Sequence, residues 1–135
     1  MSALVDGYEN SLLDGLTGVT PLTTPTTVYL ALFTADPTDT GSVTNELTGN
    51  GYARKSLAGL FSAATGTSGS VSNTSVINFA TATGDWTAVT HVGFMESGTT
   101  STDDMMVSLA LGTAITNLNT QVFSFKVGTL TLVAE

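Results

Sequence analysis

The chain has 135 residues and 13.8 kDa, enough for one domain that buries about two-thirds of the surface of its unfolded form. Charged residues make up only 10% of it, and eleven acids stand against Arg54, Lys55 and Lys126 for a formal net charge of -8, which leaves almost no cationic surface for nucleic acid or anionic membranes. Cysteine is absent, excluding disulfides, thiolate metal sites and a cysteine nucleophile, while 41% hydrophobic residues and abundant Thr and Ser suit a folded, hydroxyl-surfaced β protein.

Ser2 is positioned to cap a helix in which Leu4, Val5, Tyr8, Leu12, Leu13 and Leu16 recur at three- and four-residue spacing. The acids Asp6, Glu9 and Asp14 fall mainly off that stripe. Gly15 or Gly18 offers a left-handed stop before Pro21 and Pro25 impose extended chain, so the expectation is a helix within residues 1–18 and a β body over 26–135. From Val28 the period becomes two: Val28, Leu30 and Leu32 share one face and Tyr29, Ala31 and Phe33 the other, predicting an interior strand covered on both sides. Asp36-Pro37 opens a turn, 39–50 reads as a polar loop, 51–57 as a second strand and 59–70 as a small-residue connection. Further strands are expected at 71–72, 76–80, 89–96, 105–111, 121–127 and 129–133, with turns at 82–85 and 97–100 and an exposed hairpin tip at 99–104. Eight short strands without intervening helices predict an antiparallel β-sandwich of jelly-roll type, with a single N-terminal amphipathic helix. No segment approaches the roughly 20 apolar residues that span a bilayer, and no basic, apolar leader opens the chain, so a soluble protein made in the cytoplasm is expected.

Chemistry is sparse. The single imidazole, His91, lies in an apolar strand between Thr90 and Val92, and no Gly-x-Ser-x-Gly elbow accompanies it, so it reads as structural. The carboxylates that could pair for glycoside hydrolysis, Asp36, Asp39, Glu46, Asp103 and Asp104, all fall in predicted turns, where such groups usually hydrogen-bond their own backbone. Asp36-x-x-Asp39-x-Gly41 followed by Asn45-Glu46 is rich in oxygen ligands but misses EF-hand spacing. No dinucleotide or phosphate-loop motif occurs. No residue is therefore assigned to catalysis, a cofactor or a metal, and the expectation is a protein that is not an enzyme. The apolar face of the first helix lacks Lys and Arg beside it, which favours docking on protein, and Leu4, Tyr8, Leu12 and Leu16 are the candidate interface residues.

Tyr29-Leu30-Ala31-Leu32-Phe33-Thr34, Asp36-Pro37-Thr38, Asn45-Glu46, Gly51-Tyr52-Ala53-Arg54, Ile77-Asn78-Phe79-Ala80 and 86–94 occur in an order that resembles a family of short tailed-bacteriophage virion proteins of the tail fibre type. The resemblance covers most of the chain beyond Leu12. It implies a small jelly-roll-like module, often trimeric, that serves as a spike or fibre part or as capsid decoration, with no catalytic residues. Thr87 where glycine often follows the tryptophan, and Met105-Met106-Val107 where a more aromatic strand is common, depart from the pattern. The compact length favours a capsid decoration or cement protein on the head exterior. The alternative is a tail fibre or baseplate component that binds host surface carbohydrate. Expected partners are further copies of the chain, as a homo-oligomer and most simply a homotrimer, and the major capsid protein or a tail protein.

Overall fold

In chain order the elements are β1 (Ser2–Leu4), α1 (Asp6–Thr17), β2 (Tyr29–Phe33), β3 (Lys55–Ser56), β4 (Ser70–Ser72), β5 (Ile77–Asn78), β6 (Trp86–Met95), β7 (Met105–Asn117), β8 (Ser124–Phe125) and β9 (Thr131–Val133). They are seen in a computed structural model that describes residues 2–64, 67 and 69–134. Five strands form one antiparallel sheet in the order β1-β7-β6-β2-β3, and β4-β9 and β5-β8 form two further antiparallel pairs. The protein is thus mainly β with one N-terminal helix, as expected. Its strands divide five, two and two, which supports a layered β fold and does not by itself establish jelly-roll connectivity.

β2 shows why the layers form. Leu30 and Leu32 join Val92 and Phe94 of β6 on one face of the large sheet, against Ile77, Phe79, Phe123, Phe125 and Leu130 of the second layer. Ala31 and Phe33 turn the other way and meet Met95, Met105 and Val5, with Tyr8, Tyr29 and Val43 packed around them. A strand apolar on both sides is buried on both sides, because the two-residue period feeds two separate cores. Gly93 sits where the second core is tightest: a Cβ there would stand 2.8 Å from Met105 Cε and 2.9 Å from Phe33 Cε2. No larger residue fits without displacing one of them.

The N-terminus differs from expectation. Ser2 does not cap the helix. Residues Ser2–Leu4 form an edge strand in register with Leu109, Ser108 and Val107 of β7, which makes β1 the one strand beyond the eight expected among the described residues. Extended Val5 takes the N-cap position without a side-chain cap, and its N–H donates to Met106 O at 3.1 Å while Asp6 N–H donates to Asp39 O at 2.8 Å. The buried Val5 side chain and these distant backbone acceptors override the local capping preference of serine. Residues 2–5 therefore belong to the β body, and the division at 1–18 and 26–135 is corrected accordingly. Of the two stops expected, Gly15 and Gly18, the helix uses Gly18, whose φ of 75° lets Val19 N–H reach Asp14 O at 3.0 Å.

Several strands differ in length from expectation: β6 begins at Trp86, and β5 and β8 shorten to Ile77–Asn78 and Ser124–Phe125. β7 runs to Asn117, beyond the expected end at 111, with irregular pairing to β6 between Val89 and His91. β3 shrinks to Lys55–Ser56, since Tyr52 and Arg54 turn inward to other partners.

Candidate functional site

The most organised polar group in the fold is built from three loops. Arg54, whose side chain is wholly buried, directs Nε to Glu46 Oε1 at 2.8 Å and one terminal nitrogen to Glu46 Oε2 at 2.9 Å, a planar fork that only a guanidinium supplies. That second nitrogen also donates to Thr102 O at 2.7 Å, and the other donates to Ser97 O and Asp104 Oδ1, both at 2.8 Å. All five donors are thereby satisfied. Glu46, equally buried, also accepts from the Tyr52 hydroxyl at 3.0 Å and from Ser101 N–H at 2.7 Å. The hairpin tip at 99–104 is exposed at Thr99, Ser101, Thr102 and Asp103, as expected, and is also pinned to the 39–50 loop through these bonds. Asp103 alone among its acids faces solvent freely.

Electrostatics follow from this enclosure. Burial opposes the charged guanidinium, but the hydrogen bonds it donates to Glu46 and Asp104 outweigh it and hold Arg54 above its ordinary range. Burial first, then the Glu46 carboxylate, push the Tyr52 phenol well above the usual tyrosine value, although its hydroxyl also accepts the Leu32 N–H at 3.0 Å. A phenol that stays neutral in the fold but ionises near 10 in the unfolded chain stabilises the protein fully below that pH and progressively less above it. Thermal melts across alkaline pH should show a steeper loss of stability above about 10 for the native protein than for Tyr52→Phe. Parallel curves would contradict this placement.

The other sequence candidates are scattered. Asp36 Oδ1 accepts Thr38 N–H at 2.8 Å in an Asx turn, as turn chemistry predicts, and its second oxygen is 3.9 Å from His91 Nε2. His91 Nδ1 shares a 2.9 Å hydrogen bond with the Thr90 hydroxyl. Asp39 contributes its backbone oxygen to the start of α1. Glu46, read as a turn residue, is instead committed to Arg54. Among the described residues no group of three or more His, Asp or Glu side chains is placed to hold a metal ion, nor is any helix long and apolar enough to cross a membrane.

The predicted interface set is also divided. Leu4 lies in β1 rather than on the helix, Tyr8 packs against both cores, and Leu12 is half-buried. Leu16 is 75% exposed, and Leu13 at 59% and Val19 at 73% are exposed with it. No residue of α1 is fully buried. Sequence spacing sets Leu13 on the same apolar stripe as Leu12 and Leu16, and Val19 lies just past the helix end.

A protein-family model described as Podophage GP4 fiber I protein gp80 matches residues 3–133. No curated protein matches the chain.

Proposed function

Because the chain belongs to the podophage GP4 fiber I protein family, and so is a bacteriophage structural protein and virion component, we propose that it is a non-enzymatic fibre module, assembled as a homo-oligomer. The match over nearly the whole chain is the observation that carries this reading. The polar chemistry agrees with it: Glu46, Arg54 and Asp104 bond one another instead of facing a cleft, and His91 is held by its neighbour Thr90. With Arg54 enclosed, Lys55 and Lys126 are the remaining basic side chains, which supports contacts with protein in preference to nucleic acid. A low-charge, hydroxyl-rich exterior favours close packing of copies, and the family resemblance favours a trimer.

Capsid decoration is the second reading, favoured by the packing of the described strands around two adjoining cores. Quantifying the protein in purified particles and labelling it with antibody separates the two. Label at the tail and a copy number that is a small multiple of the tail symmetry are expected. A copy number matching the capsomers, with label on the head, would replace the fibre reading by the decoration one, and absence from particles would overturn both.

A further inference from the structure

We infer that the outer strip of α1 docks into an apolar groove rimmed by Lys or Arg on a different virion protein; this rests on the reading of the chain as a virion component. Single exposed apolar side chains are ordinary, but Leu13 and Leu16 lie one turn apart on α1 and Val19 follows just past the Gly18 stop, at 59%, 75% and 73% exposure. Glu9 lies one turn before Leu13 on the same face, and Asp6 adjoins it. The helix carries acids in its first turn and no basic residue in its last. The strip is thus apolar with an acidic margin, and the surface that covers it must be apolar with a basic margin.

Charge decides against a second copy as that surface. The first 53 residues hold Asp6, Glu9, Asp14, Asp36, Asp39 and Glu46 and no Lys or Arg. Arg54 is spent inside the ion-paired cluster, which leaves each copy two basic side chains, Lys55 and Lys126, to offer another. Two such helices facing each other would set like charges together, at a cost an oppositely charged partner does not incur. The helix is nonetheless firmly presented, because β1 and Val5 hold its start to β7 and the Gly18 cap fixes its end.

The test uses the full chain and particles purified from phage in which its gene carries a nonsense mutation. The native protein should bind these particles, and binding should weaken as salt is raised. Leu13→Gln with Leu16→Gln should bind at least about tenfold more weakly while melting at the native temperature, since both side chains already face solvent. Glu9→Lys, a second variant, should weaken binding most at low salt. Native-like binding by the leucine double variant would overturn the inference while leaving the virion reading intact. Failure of the native protein to bind would count against the virion reading beneath it. If the double variant instead turns a self-associated native protein into a monomer, the occupant is a second copy and the inference is wrong.

Discussion

Arg54→Met should lower stability by roughly 3–5 kcal/mol, because it leaves Glu46 and Asp104 enclosed without their counter-charge. For a chain of this length that is a fall of about 10 °C or more in melting temperature. The second oxygen of Asp104 is already buried without a hydrogen-bond partner, so the cluster has acceptors in excess and the guanidinium is the group that balances it. Arg54→Lys should recover little: one ammonium has three donors in place of five and cannot form the fork to Glu46. Neutralising the acids as well, with Glu46→Gln and Asp104→Asn on the Arg54→Met background, should restore part of the loss, the remainder reflecting the orphaned Ser97 and Thr102 carbonyls. Calorimetric melts of this series check the account. A single Arg54→Met variant within about 1 kcal/mol of the native protein would show that the cluster is solvated and the pinning of the two loops weak.

Asn73→Ala should cost roughly 1–3 kcal/mol, since the buried Leu130 N–H loses its acceptor and the part-buried Ser75 and Lys126 carbonyls each lose a donor, although Lys126 O keeps those of Thr129. The Asn73 amide donates to Ser75 O at 2.8 Å and to Lys126 O at 2.9 Å, and its oxygen accepts the Leu130 N–H at 3.0 Å. This one side chain, 1% exposed, joins the end of β4 to the turn between β8 and β9. Asn73→Asp should be no better than alanine, because a carboxylate would face two carbonyl oxygens it cannot bond. Denaturant unfolding gives the energy, and hydrogen exchange at Leu130 locates it: protection of that amide should collapse toward the exposed limit in both variants. Retained protection with a loss under about 0.5 kcal/mol would mean that the backbone bonds around Asn73 suffice alone.

These two residues mark the boundary of what could be read from the chain. β2 was legible because its apolar period alone declares two covered faces, and a helix stop at Gly15 or Gly18 because glycines shortly before two prolines end a helix. Arg54 and Glu46 were visible only as ordered pieces of a family pattern, Gly51-Tyr52-Ala53-Arg54 and Asn45-Glu46. Read singly they were a polar strand residue and a turn acid, since burial of a charge depends on a partner that composition does not locate. The rarity of the type was the available clue: one arginine in a chain of 135 residues is poorly explained as surface decoration. Asn73 gave less, as an asparagine beside Ser72 and Thr74 has the look of any turn. Ser2 misled for the opposite reason. Its local chemistry does favour a cap, and only the far strand β7 could outbid it.

That far pairing bears on how the chain is made. Ser2 bonds in register with Leu109, so during synthesis the N-terminal strand emerges with no partner and stays so while the next hundred or so residues are added, on the order of 5–20 s at common elongation rates. Through this interval Val5 has no core to enter and α1 no sheet to lie on, since β7 is what anchors the helix start and Met105 part of what Val5 packs against. Long-range closures of this kind slow folding, and the nascent segment carries an unpaired strand edge and uncovered leucines in the meantime. Asp6, Glu9 and Asp14 interrupt that apolar stretch with charge, the pattern that opposes aggregation of segments left uncovered during folding.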